Sequence, residues 1–458
     1  MRAFARQMIE RMKAVAAAGA VAAFWLAVWV FVAALVAQPL ILPGPGAVVV
    51  ALLRLVCDAG TWAILAGSGA RILGGLALAA VCGGLLAGIS SRSRAFARLV
   101  APALSFVKAT PVACVVVLLL IWLGSARVSI AVVFLMALPG VYFSLVEGLA
   151  QFDQPLEQMF RLHGVQGWRL FCAHTWREVL PFVLSCARAV IGMSWKAGVA
   201  AELIGMATGT VGERIYQAKL LIETADLLAW TVLVVAASWA CERVLVWLLR
   251  ASGPVAWRTA VRAHGHGLRG RTGAASDGAA AELALAVGDR APWAPALDGL
   301  VLHVPAGGRT CVMGASGVGK STLLALAAGE CAPCSMVFQD VRLVEDASAL
   351  DNVLVCADAR VDASSAAALL RLLVPGVDVH ARVAELSGGQ RRRVEIARAL
   401  LCPGGAVILD EPFTGLDVAA RDATTKVVLD LLDGRTLLLA THDAADAQAL
   451  DISDIITL

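Results

Sequence analysis

The residues best suited to chemistry lie in the last third of the chain. Gly314-Ala315-Ser316-Gly317-Val318-Gly319-Lys320-Ser321-Thr322 follows the short apolar run Thr310-Cys311-Val312-Met313 and leads into Leu323-Leu324-Ala325-Leu326. This is the GxxxxGK[ST] pattern in its strand–loop–helix context. Its glycines let successive backbone N–H groups turn towards one anion, and the helix that follows presents its positive N-terminus to the same place. Lys320 would reach the β and γ phosphates of a nucleotide, and the Ser321 hydroxyl would ligate Mg²⁺. A second apolar run, Ala406-Val407-Ile408-Leu409, ends in Asp410-Glu411. An acidic pair at a strand's end suits a magnesium ion held through water by Asp410 and an attacking water polarised by Glu411. A third run, Ser387-Gly388-Gly389-Gln390, opens a helix and offers free N–H groups to an anion. One chain cannot readily aim two such helix starts at one γ-phosphate. The natural solution is two chains facing head to tail, each capping the other's nucleotide. In Arg391-Arg392-Arg393, which follows, Arg392 and Arg393 are expected on a solvated helix face.

The elements that must position these residues sit beside a very different half. The 458 residues are 59% hydrophobic and 16% charged, with a mean hydropathy of +0.78. Soluble chains average about 45–50% apolar and about 25% charged. The balance excludes an ordinary soluble enzyme, a disordered chain and a nucleic-acid binder with a basic surface. Residues 281–458 read as soluble, residues 251–280 as a flexible linker, and residues 1–250 as a membrane domain. Apolar runs long enough to span hydrocarbon are expected at 14–37, 72–90, 99–123, 128–149, 179–205 and 227–249. A cleaved signal peptide is the rival for the first run, but no small-residue cleavage site follows it. Arg71 interrupts the start of the second span, and Lys108 with Pro111 marks the third as broken or partly interfacial. Arginines cluster at the N-terminus, at 92–98, at 161–177 and at 250–258. That asymmetry places both ends, and the soluble half, in the cytoplasm. Lys196 and Glu202 lie inside the fifth span. An interhelical ion pair or an interfacial glutamate is the preferred account over a functional charge. Eleven scattered cysteines suit buried thiols, and the single CxxC, Cys331 and Cys334, has no second pair at zinc spacing.

With its Leu386–Gln390 LSGGQ run, the soluble half resembles the ATPase domain of ATP-binding cassette (ABC) transporters, an α/β P-loop NTPase. The resemblance implies that Gln339 is the Q-loop glutamine joining Mg²⁺ to the membrane domain, that Asp417 is the D-loop aspartate and that His442 is the switch histidine at the γ-phosphate. Trp293 is a candidate adenine-stacking residue, with a core tryptophan as the alternative. Two departures stand out. Gln339 follows Lys320 by 19 positions, about half the family interval, so the small antiparallel β layer encoded there should be largely absent. The chain also runs only 16 residues past His442, so the usual C-terminal helices should be missing.

In the membrane half, Glu157–Val165 with Gly164 and Leu180-Pro181 resembles the EAA loop of bacterial ABC importers, within a coupling loop at 153–178. Gln158 stands where the family has Glu, and Trp176-Arg177 where it has Leu-Pro. Leu42-Pro43-Gly44-Pro45, Ile121-Trp122-Leu123-Gly124 and Trp195 with Ala201-Glu202 are similar to permeases of the nitrate/sulfonate/taurine group. The resemblance therefore implies a fused permease and ATPase acting as a homodimer in a bacterial inner membrane. It would use ATP and Mg²⁺ and take a small anion or vitamin-like solute from a periplasmic binding protein. A half-size exporter and a membrane-anchored, non-transporting ATPase are the alternatives.

Overall fold

The computed structural model describes residues 2–263, 280–287 and 294–458. It divides into two compact units. Unit 1 is Met1–Gln151 with Val179–Arg250, and unit 2 is Phe152–Glu178 with Ala251–Leu458.

Unit 1 is helical. In chain order the helices are α1 (Arg2–Val36), α2 (Pro45–Cys57), α3 (Ala59–Arg92), α4 (Arg94–Ala109), α5 (Val112–Leu123) and α6 (Ser125–Ala150). Unit 2 then contributes α7 (Gln154–Leu162) and α8 (Gly167–Leu170). The chain returns through α9 (Trp176–Gly205), α10 (Val211–Leu220) and α11 (Thr224–Arg262). Among the described residues, five helices are long and apolar enough to cross a membrane, or six if α4 and α5, bent by 102°, form one broken span. The bend falls at Thr110-Pro111, where Pro111 lacks the N–H that would continue the ladder.

The second expected span starts earlier than Arg71. α3 begins at Ala59 because Asp58 caps it, accepting from Gly60 N and Thr61 N. It runs through Arg71 because that charge is paired. Arg71 Nε lies 3.2 Å from the fully buried Glu202 carboxylate on α9, which also accepts from Ser68 Oγ at 2.8 Å. The ion pair foreseen for the fifth span therefore joins Glu202 to Arg71. Lys196 is exposed. α3 packs closely on α6, and a Cβ on Gly75 would stand 2.5 Å from Ile130 O. Small residues at such contacts let helix backbones approach, which is how membrane helices gain packing energy.

Unit 2 is built on a five-stranded sheet in the order β4 (Ser335–Val337), β5 (Ala406–Asp410), β6 (Thr436–Thr441), β3 (Arg309–Met313) and β7 (Asp454–Thr457). Every pairing in it is parallel. The short β1 (Leu283–Ala286) and β2 (Val301–Val304) form a separate antiparallel pair. The helices of this unit are α12 (Lys320–Glu330), α13 (Ala349–Leu354), α14 (Ala363–Leu373), α15 (Gly388–Leu401), α16 (Val418–Leu432) and α17 (Ala444–Ala449). Strands buried on both faces read as continuous apolar runs, and alternate residues serve opposite cores. Ile408, Leu438 and Ala440 pack with Leu323 and Leu324 of α12. Val407, Leu409, Leu437 and Leu439 pack with Val353, Leu370, Val394 and Val428.

Between Lys320 and Gln339 the chain forms only α12, a four-residue turn and β4, with no antiparallel strand. Residues 251–262, within the stretch read as linker, continue α11, and residues 264–279 lie outside the described residues.

Candidate nucleotide site

A parallel sheet gathers the C-terminal ends of its strands at one edge, where α/β proteins place ligands. Here four adjacent strands deliver the candidates. Gln339 follows β4, Asp410 ends β5 with Glu411 next, His442 follows β6, and Gly314–Thr322 joins β3 to α12. Sequence-distant residues thus meet because strand order, not chain order, sets neighbours.

The phosphate loop turns through Gly317 at φ +84° and Gly319 at φ +113°, values that L side chains adopt only under strain. Lys320 is buried, and its Nζ donates to Gly314 O at 2.7 Å and Ala315 O at 3.0 Å, which fixes the ammonium under the loop. Ala315, Ser316 and Gly317 are exposed, so the amide cradle faces outward.

Ser321 Oγ donates to Gln339 Oε1 at 3.3 Å. Burial pushes the Asp410 carboxyl above its usual range, partly opposed by the Ser321 hydroxyl. Asp410 Oδ1 is buried without a hydrogen-bond partner. An orphaned carboxylate oxygen is costly unless another group arrives. One carboxylate with hydroxyl and amide oxygens suits a hard, hydrated divalent cation. Among the described residues no group of three His, Cys, Asp or Glu side chains could hold a metal.

Glu411 adopts φ +46°, a conformation costing of order 1–3 kcal/mol that clusters at functional sites. Its amide donates to Ala440 O at 2.9 Å, and its carboxylate lies 3.2 Å from His442 Nδ1. His442 is 64% exposed and Glu411 17%, so the histidine is free to turn towards a ligand. Asp417 caps α16 through Ala420 N at 2.8 Å.

Ser387 and Gln390 form a capping box at the start of α15. Ser387 N donates to Gln390 Oε1 at 2.9 Å, and Gln390 N donates to Ser387 Oγ at 3.3 Å. Gly388 and Gly389 lie between them. Among the described residues, no hydrogen bond or ion pair joins this run to the 314–322 loop of its own chain. Trp293 lies outside the described residues.

The expectation for the arginine triplet is corrected. Arg392 is 3% exposed. Its guanidinium donates to Asp410 O at 2.8 Å, Glu411 O at 2.7 Å, Pro412 O at 3.2 Å and Phe338 O. Arg393 is half-buried, bonding Gly389 O at 3.2 Å and Leu373 O at 2.8 Å. Both were placed on a solvated face because charged helix residues usually are exposed. Backbone carbonyls supply acceptors that no residue pattern announces.

Three further residues escaped the sequence reading. Glu395 and Arg398 are fully buried and complete an Arg392–Glu395–Arg398 chain of ion pairs at 2.8 Å and 3.4 Å. Arg342 takes Glu395 Oε1 on its backbone amide at 3.0 Å, stacks 3.7 Å above Phe338 and donates to Pro155 O, just inside α7, at 3.1 Å. The spacing i, i+3, i+6 on α15 was the one readable sign that these charges share a face.

α7 itself seats on β4. Cys334 N donates to Leu162 O at 3.0 Å, and Met336 N donates to His163 Nε2 at 3.4 Å. His163 is buried, and its Nδ1 lies 2.7 Å from Met159 O. A carbonyl requires a donor, so Nδ1 carries the proton and Nε2 accepts. Burial, with Arg398 nearby, drives the His163 pKa down to about 3, in keeping with that neutral tautomer.

The fold and site together define a P-loop NTPase of the ATP-binding cassette class, preceded by a helical membrane-type domain. Comparisons with known proteins agree. Residues 80–255 match the family described as binding-protein-dependent transport system inner membrane component, and residues 332–414 match the ABC transporter family. An aliphatic sulfonates import ATP-binding protein, SsuB 1, of Rhizobium johnstonii is 37% identical over 175 residues, covering 33% of this chain and 64% of that protein. SsuB of Escherichia coli K12 is 37% identical over 179 residues, covering 34% and 68%. The chain thus spans about two thirds of the length of these curated relatives. The dimeric structure of a bacterial ABC transporter cassette, MJ0796, aligns at 25% identity with a TM-score of 0.32, over 36% of this chain and 86% of that one. The chain belongs to the ATP-binding cassette transporters, with an importer-type permease domain fused ahead of its ABC ATPase domain.

Proposed function

We propose that the protein is an ATP-driven importer of a small anion, such as a sulfonate, taurine or nitrate, or of a vitamin-like solute. It works as a homodimer in a bacterial inner membrane, with the ATPase domain in the cytoplasm and a periplasmic binding protein delivering the solute. The observation that carries the transport reading is the seating of α7 on β4. The segment Phe152–Glu178 belongs to the ATPase unit although its chain neighbours on both sides belong to the helical one. A coupling element requires such a crossing.

In the cycle the phosphate-loop amides and Lys320 bind the β and γ phosphates, and Ser321, Gln339 and Asp410 hold Mg²⁺. The ion supplies charge neutralisation on the phosphates. Glu411 accepts a proton from the attacking water, and His442 contacts the γ-phosphate. Ser387, Gly388, Gly389 and Gln390 cap the nucleotide of the second copy, because within one chain they leave their own loop untouched. Relatives that import sulfonates favour a sulfonate-class solute over the vitamin-like alternative.

ATP hydrolysis by the full chain in liposomes, with and without candidate binding proteins loaded with taurine or alkyl sulfonates, tests this reading. Stimulation together with solute accumulation is expected. Stimulation by hydrophobic drugs without any binding protein would instead establish an exporter.

A further inference from the structure

Three arginines of unit 1 converge on a cavity that the transport cycle leaves unused. Arg188 of α9 and Arg243 and Arg250 of α11 line a space of about 640 Å³ together with Glu242, Val244, Val246 and Trp247. Among the described residues none of the three arginines makes an ion pair. Arg243 instead lies over the Trp239 ring at 5.1 Å. Three cations facing one acid leave an excess of positive charge beside a hydrocarbon-spanning helix, where an uncompensated charge is costly. Arg250 follows the last expected span directly. Arg243 stands seven residues earlier, about 10 Å along the axis, so the cavity reaches from the membrane surface to the acyl boundary. Trp239, Val244, Trp247 and Leu248 of the same helix are all at least half exposed. Tryptophan marks the headgroup level, and basic pockets between membrane helices recognise anionic lipid headgroups.

We propose that this cavity binds the phosphodiester headgroup of an anionic phospholipid in the leaflet at the α11 end that leads to the ATPase domain. The arginines share the phosphate charge, and the acyl chains cover the exposed apolar residues beside them. A free tetrahedral anion satisfies the arginines equally well. The lipid is favoured because a soluble anion leaves Trp239, Trp247 and Leu248 uncovered. The proposal rests on the membrane placement of unit 1 and is independent of the direction of transport.

Native mass spectrometry decides between these sources. The full chain is reconstituted in phosphatidylcholine alone or with phosphatidylglycerol, and the lipid retained after extraction is counted. Wild type should retain phosphatidylglycerol preferentially, and R188Q, R243Q and R250Q should each weaken retention about fivefold. E242Q, which removes the one acid among the described residues that line the cavity, should strengthen retention. It also guards against misreading a folding defect in the arginine variants. Equal retention by wild type and the variants, or no gain in E242Q, overturns the proposal. Binding of methanesulfonate or inorganic phosphate in phosphatidylcholine alone, abolished in the arginine variants, would overturn the lipid source. A chain that fails to enter the bilayer would overturn the membrane reading itself, a separate result.

Discussion

Two faces of the ATPase unit differ in how fully their polar groups are paired. On the nucleotide face, Ser321 reaches Gln339 through one bond of 3.3 Å, His442 is largely exposed, and Asp410 keeps an unpartnered oxygen. On the face that seats α7, Arg392, Glu395, Arg398 and His163 are buried and hydrogen-bonded. On the proposed reading the first face receives a nucleotide and a second copy, which requires its polar groups to be available. The second face is more fully paired, although Arg342 Nε and Arg398 Nε are buried without a partner. Arg392 links the two. It rises from the helix that opens with Ser387 and holds the backbone of Phe338, Asp410 and Glu411, so movement of α15 reaches the residue before Gln339 and the carbonyl of Glu411 together.

The largest effect should come from the open face. Glu411→Gln removes the proton acceptor while leaving the strained backbone and the Arg392 bond intact. Phosphate release should fall by at least about 10²-fold, within the range for a lost general base, and ATP binding should persist. Unchanged turnover would remove Glu411 from the chemistry and leave the nucleotide face without its distinctive acid.

The more fully paired face should answer in stability. Glu395→Gln leaves two buried guanidiniums without a counter-charge, and breaking such an arrangement costs about 3–5 kcal/mol. Denaturant unfolding of the full chain should show that loss. Replacing Arg392, Glu395 and Arg398 together by Met, Leu and Met should not rescue it, because Phe338 O, Asp410 O, Glu411 O and Pro412 O then lose the donors that Arg392 supplies, and each buried carbonyl left unpaired costs about 1–3 kcal/mol. If Glu395→Gln unfolds at the wild-type denaturant midpoint, the two guanidiniums do not depend on Glu395 and the contrast between the faces fails.

What the sequence disclosed follows the same division. Gly314–Thr322, Ser387–Gln390 and Asp410-Glu411 could be read directly because their chemistry depends on a few contiguous backbone groups at the end of a strand or start of a helix. Two of the strands were legible in the apolar runs before Gly314 and Asp410, while their parallel pairing was not. Arg392 was misread because its partners are carbonyls up to 54 positions away. Arg71 seemed to break a span because Glu202, its partner, lies 131 residues on. His163 gave no sign, since its role depends on Met336 N, 173 residues distant. Local rules reach caps and loops, and long-range polar pairing is set by topology.

A pH experiment sharpens the contrast further. His163 titrates near 3 when folded and near 6.5 when unfolded. The folded state therefore resists a proton that the unfolded chain accepts. Stability is intact above pH 6.5 and is lost as pH falls towards 3, by about 1.4 kcal/mol per pH unit. Protonation also sets an Nε2–H against the Met336 N–H. His163→Gln, which keeps an acceptor but cannot titrate, should flatten this part of the slope between pH 6.5 and 5 in denaturant unfolding. Parallel curves for wild type and variant would mean that the histidine is not held neutral by its seat on β4.

The smallest effect belongs to the exposed side of the same α7 helix. Arg161 pairs with Glu157 at 2.7 Å in an i, i+4 arrangement, with Arg161 59% and Glu157 30% exposed. Water screens such a pair and side-chain entropy opposes it, so its worth is about 0.3–0.5 kcal/mol. Arg161→Gln should change unfolding free energy by no more than that and leave binding-protein-stimulated hydrolysis unaltered. One helix would then carry both extremes, a neutral histidine buried at its end and a dispensable ion pair on its outer side. If Arg161→Gln uncouples hydrolysis from the binding protein, the outer side of α7 takes part in the proposed coupling, and the buried contacts with β4 and Arg342 are not enough to account for it.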